Sequence, residues 1–358
     1  MSLFKTGNIR DGKEQFESLD LLRFIASMMI ILFHAHSIAL KDSLSHGEQF
    51  FPAPIWWYSC IELFFTMSGF LMIHMSRNLY GSARGVKIFA VRRGIRTPPL
   101  YWIYTILITA IFLIKPSLSA EGPIDLRTFL CSIFFYPNIG DPVIAIGWTL
   151  NYEIFFYCIF GASIFLPFSK GWKFAVAMLI GIVTLGQIFG PHPNPWGVWT
   201  DFLMLDFVIG ILVAVAFHRG LSFGNVGTGL SFCIGILLIL CYRWVGNYGL
   251  FRVATMGVGM GCIIAAATLR EKPISFGKYG PIITLLSQQT YTMYLCHILV
   301  LKCVQLVYFR FFWGFWANLG YIILGTIITL LVAKVLYEAI EKPLAATLRR
   351  QVKRLGLI

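Results

Sequence analysis

The chain has 358 residues, 58% of them hydrophobic and 13% charged, with a net charge of +13. A soluble domain carries about 25% charged residues, so the composition excludes a water-soluble globule and points to the membrane. The basic excess does not point to nucleic acid: Lys and Arg fall between apolar stretches, where they orient a protein in a bilayer, and no basic soluble domain is left over.

Apolar windows recur from end to end. They predict ten spans, at 21–40, 57–75, 99–115, 144–166, 174–190, 202–217, 227–242, 253–269, 283–304 and 317–337, and hence an all-α polytopic membrane bundle. The 124–140 segment is short and semi-apolar, and is expected to be re-entrant or interfacial. The first span is too long and too polar at its end for a signal-peptide core, and is expected to be retained. A single membrane domain, 1–358, is expected to fill the chain, with a tail at 1–18 and a basic tail at 343–358. An even number of spans puts both tails on one side. That side collects 21 basic residues, from Lys5, Arg10 and Lys13 through the 77–96 cluster to Arg354. The other has six: Lys41, Lys115, Arg127, Arg243, Arg252 and Arg310. Both termini are therefore expected in the cytoplasm. None of the eight cysteines forms a CxxC pair or has His at a metal-ligand spacing, so they read as small packing residues and no metal is expected.

Four groups of residues could carry chemistry. The first is Asp20-Leu-Leu-Arg23 with His34, inside the first span. A cation and an imidazole there are costly and default to a functional role. Eleven residues separate Arg23 from His34, roughly 16 Å along a helix, so the cation sits near one membrane face and the base lies past the midplane. His36 points to another face and reads as structural. The second is Arg92-Arg93-Gly-Ile-Arg96-Thr-Pro-Pro-Leu-Tyr101-Trp. Arg93 and Arg96 share a helix face, Pro98 or Pro99 suits the first turn of the third span, and arginine forks beside a helix N-terminus suit phosphates. Membrane anchoring would use the same residues.

The third is Gly147-Trp148-Thr-Leu-Asn151-Tyr-Glu153, which puts a carboxylate about 14 Å into the fourth span. Glu153 could orient His34, bind a sugar hydroxyl or pair with Lys302. The fourth is Tyr291-Thr-Met-Tyr294-Leu-Cys-His297 in the ninth span, where a bundle histidine capping a hydroxyl is the plain reading. Gly257, Gly259 and Gly261 sit mid-span with no strand before them, so they read as helix packing and not as a nucleotide loop.

Together these stretches resemble the integral-membrane acyltransferase family 3, particularly its stand-alone exopolysaccharide-type members. The resemblance rests on Leu19-Asp20-Leu-Leu-Arg23 with R-x10-H ending at His34, Phe64-Phe-Thr-Met-Ser68-Gly69-Phe70 and Arg93-x-x-Arg96 before Pro-Leu-Tyr-Trp. It also takes in Trp148-Thr-Leu-Asn-Tyr-Glu153, Tyr291-Thr-Met-Tyr-Leu-Cys-His297 and Tyr337-Glu-Ala-Ile-Glu341-Lys-Pro343. Each motif is loose, while their order from residue 19 to 343 is specific. The resemblance implies a ten-span bundle of the bacterial inner membrane that moves an acyl group, acetyl by default, from cytoplasmic acyl-CoA to a hydroxyl of an exopolysaccharide, O-antigen or similar carbohydrate. It implies His34 as the catalytic histidine with Arg23 paired to it, and Glu153 beside them. It places Arg93 and Arg96, with Arg92 and Tyr101, on a CoA-binding face. Ser68, Trp148, Asn151, His297 and Glu341 are its supporting or substrate-binding residues.

The physical argument runs parallel. CoA phosphates cannot cross a bilayer and would dock on cytoplasmic arginines, while the pantetheine arm could thread between helices to an imidazole. His34 could then act as general base or carry the acyl group. The competing reading is a proton-coupled transporter of a sugar or other small polar solute, against which stands the lack of an inverted repeat. A separate extracytoplasmic partner enzyme and a homo-oligomer both stay open.

Overall fold

The computed structural model describes residues 9–10, 13–14, 16–115, 124–138, 140–190, 192–245 and 249–357. Lys5, most of the expected 1–18 tail and Pro191 lie outside the described residues. Helix follows helix: α1 (Glu17–Ser45), α2 (Cys60–Ser76), α3 (Ala83–Gly94), α4 (Pro98–Ile114), α5 (Leu126–Ile133), α6 (Trp148–Ser163), α7 (Phe168–Phe189) and α8 (Trp196–Trp199). Then come α9 (Met204–His218), α10 (Asn225–Val245), α11 (Leu250–Arg252), α12 (Val258–Thr268), α13 (Gly280–Gln288), α14 (Thr290–Tyr308), α15 (Phe315–Leu336) and α16 (Lys342–Arg354).

Nine helical stretches among the described residues are long and apolar enough to cross a bilayer. The remaining predicted span, 144–166, is α6, whose 16 residues make it about 24 Å long. A 3-10 turn at Ala145–Gly147 precedes it. There the Tyr101 hydroxyl comes so close that a Cβ on Gly147 would lie 2.6 Å from it. The predicted 283–304 span divides at Gln289 into α13 and α14. The ends obey local rules. Pro98 and Pro99 occupy the first turn of α4, as expected. Ser82 caps α3, its hydroxyl accepting the Gly85 N–H at 3.0 Å. Asp125 caps α5, and hydrogen bonds from Thr128 hold its carboxyl below the usual carboxylate range. With eight residues α5 is far too short to cross. It exposes Leu126, Leu130 and Phe134 at helical spacing, which suits an interfacial position.

Two compact units result, one of Met1–Met67 with Val215–Ile340, the other of Ser68–Ala214 with Glu341–Ile358. In the first, α1 packs against α13, α14 and α15, and α10 against α12. Gly235 and Gly259 face each other across that last pair: a Cβ on either would lie within 2.9 Å of the other's carbonyl oxygen. The glycine run is thus helix packing, as its sequence suggested. In the second, α6 packs against α3 and α7, and α4 against α5. Many large apolar side chains stay exposed on both, such as Ile114, Phe189, Leu237 and Val335. Water would penalise them and a bilayer accepts them.

Gly69, in the Phe-Thr-Met-Ser-Gly stretch, marks the tightest crossing between α2 and α9. A Cβ there would lie 2.2 Å from the Phe207 carbonyl oxygen and 3.1 Å from the Ile211 nitrogen. Backbone cannot step aside as a side chain can. Gly69→Ala is expected to lower the unfolding temperature in detergent, with overpacking costing about 1–3 kcal/mol. Gly181→Ala, where nothing lies within 4 Å, should melt at or above wild type. Equal melting of the two variants would show that the crossing is not tight.

Candidate active site

In the first unit, Arg23 and Asp20 tie α1 to α13. The Asp20 carboxylate accepts the Ser287 hydroxyl at 2.8 Å and the Thr284 hydroxyl at 3.2 Å. The Arg23 guanidinium lies 3.9 Å from Asp20 and donates to Ser287 at 3.4 Å. Arg23 therefore sits in a polar clasp at the N-terminal end of α1, three turns below His34 on the same helix.

His34 is half-buried and makes ring contacts with Phe33 and His297, with no hydrogen bond among the described residues. The His34 and His297 centroids are 5.1 Å apart, so two of the four sequence groups meet here. His297 is fully buried on α14. Its Nδ1 donates to the Tyr294 carbonyl at 2.7 Å, with the Met293 carbonyl at 3.2 Å. Its Nε2 is buried and has no partner. His36 behaves as the structural residue expected: it is 1% exposed, and Nε2 donates to the Phe51 carbonyl at 2.7 Å.

The second unit gathers three other motifs. Glu153 on α6 accepts the Tyr157 hydroxyl in a short hydrogen bond and the Ser68 hydroxyl at 3.3 Å. Arg93 lies 5.6 Å from the Tyr157 ring centroid and 5.9 Å from that of Phe89, and interacts electrostatically with Glu153. Glu153 thus finds its partners within its own unit, while Lys302, considered for it on sequence grounds, is exposed on α14. Arg93 is only 8% exposed and its Nε is buried without a partner, whereas Arg96 is exposed and Arg92 half-buried. The sequence treated Arg93 and Arg96 as one fork; burial makes Arg93 an internal group and leaves Arg96 at the surface.

Tyr101 is 1% exposed and its ring lies tilted against Phe135 at 4.9 Å, which places it in the packing of α4 and not on an open face. Asn151 is buried, Trp148 is half-buried edge-on to Tyr152, and Glu341 ends a π-turn at Tyr337–Glu341 before α16. Sequence reading missed Tyr157, although its spacing four residues after Glu153 puts both on one face of α6. It also missed Glu62. That carboxylate is fully buried at the start of α2 and takes a short hydrogen bond from Arg252 Nε.

A family model described as an acyltransferase domain matches residues 16–338. The chain belongs to this acyltransferase family. The match takes in both units and every motif above except the Glu341 end of the last, and it decides against a transporter. This membrane acyltransferase is 26% identical over 257 residues to the exopolysaccharide production protein ExoZ of Rhizobium meliloti (strain 1021), over 68% of this chain and 76% of that protein. It is 32% identical over 113 residues to Protein 2 in picA locus of Rhizobium radiobacter, over 31% of this chain and 53% of that protein. No solved structure matches it.

Proposed function

We propose that this acyltransferase moves an acyl group, acetyl by default, from cytoplasmic acyl-CoA to a hydroxyl of a cell-surface carbohydrate or its lipid-linked precursor, from a multi-pass position in the bacterial inner membrane. The observation that carries the reading is His34: an imidazole part-way along a membrane helix, with no hydrogen bond among the described residues to occupy its nitrogens. The name of the ExoZ relative supports an exopolysaccharide as acceptor. As general base, His34 takes the acceptor hydroxyl's proton while the oxygen attacks the thioester carbonyl. The C–S bond breaks, and the CoA thiolate leaves and takes up the proton. As carrier, the imidazole forms an acyl-histidine, expels CoA, and then yields the acyl group to the hydroxyl. The arginine at the surface, Arg96, with Arg92 beside it, holds the CoA phosphates.

Mass spectrometry of surface glycan from cells with and without the gene tests the reading. The acyl mass increment should vanish with the gene and return with it. An unchanged glycan, together with no transfer from labelled acyl-CoA in membranes, would overturn it.

The donor side follows from the 21-to-six basic asymmetry. Single reporter cysteines in a cysteine-free background, one at Ile88 and one within 192–200, should react differently with an impermeant thiol reagent on intact cells. The 192–200 cysteine is expected to label and the one at position 88 to stay protected. The reverse pattern would move the donor to the other face.

A further inference from the structure

Resting on that reading of His34, we propose that His297 is a positioning residue that fixes the tautomer and ring orientation of His34. Three observations on α1 and α14 carry this. Nδ1 of His297 faces two backbone carbonyls, Tyr294 at 2.7 Å and Met293 at 3.2 Å. Carbonyls only accept, so Nδ1 holds the proton. Nε2 is then the bare nitrogen, an acceptor and nothing else. That Nε2 is fully buried and unpartnered, and such an orphaned acceptor in a low-dielectric interior carries the full desolvation penalty. The titratable ring beside it is His34, whose centroid lies 5.1 Å from that of His297.

A centroid separation of 5.1 Å is the span of two imidazoles joined by one N–H···N hydrogen bond, and in the proposed arrangement His34 turns about its Cβ–Cγ bond to aim an N–H at Nε2. The consequence for chemistry is directional. A His34 nitrogen that donates to His297 is protonated, so the other nitrogen bears the lone pair that takes a hydroxyl proton or attacks a thioester. The order is carbonyl, His297, His34, reacting atom. His297 is 0% exposed, so in this arrangement it acts through His34. The same logic holds histidines to metals, where a second partner on the ring sets which nitrogen is free.

Two substitutions separate this role from packing. Gln places an amide oxygen near the Nε2 position and keeps an acceptor; Leu fills similar space and has none. His297→Leu is expected to lower kcat about 10- to 100-fold, as the loss of such orienting partners does elsewhere, with KM for acyl-CoA unchanged. His297→Gln is expected to recover most of that loss. A purely structural role predicts instead that Leu, which loses the Nδ1 hydrogen bond together with the orphaned Nε2, changes the unfolding temperature and leaves kcat per folded molecule at wild type. Equal kcat for the Leu and Gln variants, or wild-type kcat for Leu, would overturn the inference.

Should the Leu variant not fold, the ratio of kcat between His297→Gln and His297→Met serves in its place, Met being unbranched and adaptable in cores. His34→Ala, measured alongside, keeps the two readings apart. An active His34→Ala sinks the role of His34 itself. An inactive His34→Ala with wild-type His297→Leu sinks only the positioning role. In the double variant, His297→Leu should add no further loss to His34→Ala, since residues acting as one unit are not additive.

Discussion

His34→Ala is expected to abolish acyl transfer while expression, unfolding temperature and CoA binding stay at wild-type level. The structural ground is that His34 is half-buried and no hydrogen bond among the described residues depends on it. Truncation therefore breaks no hydrogen bond made among the described residues. What it removes is the base or carrier, and a positioned general base contributes about 10²–10⁴-fold. A variant that keeps more than about a tenth of wild-type activity falls short of that loss and would assign the chemistry elsewhere. His36→Ala, two residues on, is the informative contrast. It breaks a 2.7 Å hydrogen bond to the Phe51 carbonyl and empties a site walled by Phe50, Phe51 and Trp57. It should melt at lower temperature and keep its turnover per folded molecule. Labelled acyl-CoA supplied without acceptor then tells base from carrier. Label retained on the wild-type protein and absent from His34→Ala marks the carrier route; no retained label marks the base.

The fold was legible because a bilayer imposes one rule on every span: about 20 apolar residues with all backbone groups satisfied inside the helix. Hydropathy reads that rule directly, so each predicted window holds a helix. It failed where tertiary contact overrides length. At the start of α6 the Tyr101 ring packs against Gly147, and the joint at Gln289 lies between α14 and an α13 held by its hydroxyls on Asp20. No window average sees either.

Site residues were legible in the same partial way. Arg23, His34, Arg93, Glu153 and His297 stand out because charge and imidazole are rare in apolar sequence. Their partners do not stand out. Tyr157 looks like one more aromatic among many, and Glu62 finds Arg252 from 190 positions away. By its sequence Arg252 is one more loop cation, since its use as a counter-ion depends on a fold that spacing does not contain. The pairing of His34 with His297, 263 positions apart in this numbering, is of the same kind.

Burial divides the two arginines of the Arg93-x-x-Arg96 motif, and their variants should fail differently. Arg93 is 8% exposed, with its guanidinium near the Tyr157 and Phe89 rings and in electrostatic reach of Glu153. Arg93→Ala removes a buried cation in electrostatic reach of a carboxylate that Tyr157 and Ser68 hold in place. Loss of such a charge interaction is expected to cost about 1.5–3 kcal/mol of stability, read as a lower unfolding temperature of the detergent-solubilised protein. Arg96 is exposed, so Arg96→Ala should melt as wild type. Its loss should appear in calorimetric CoA affinity, weakened about 10- to 150-fold if one charge-assisted phosphate contact goes. Arg96→Lys should be weakened too, because lysine keeps the charge and lacks the planar fork. Wild-type CoA affinity in Arg96→Ala would reduce that arginine to a membrane anchor. Wild-type melting in Arg93→Ala combined with lost CoA affinity would mean that the buried arginine, and not the exposed one, reaches the cofactor.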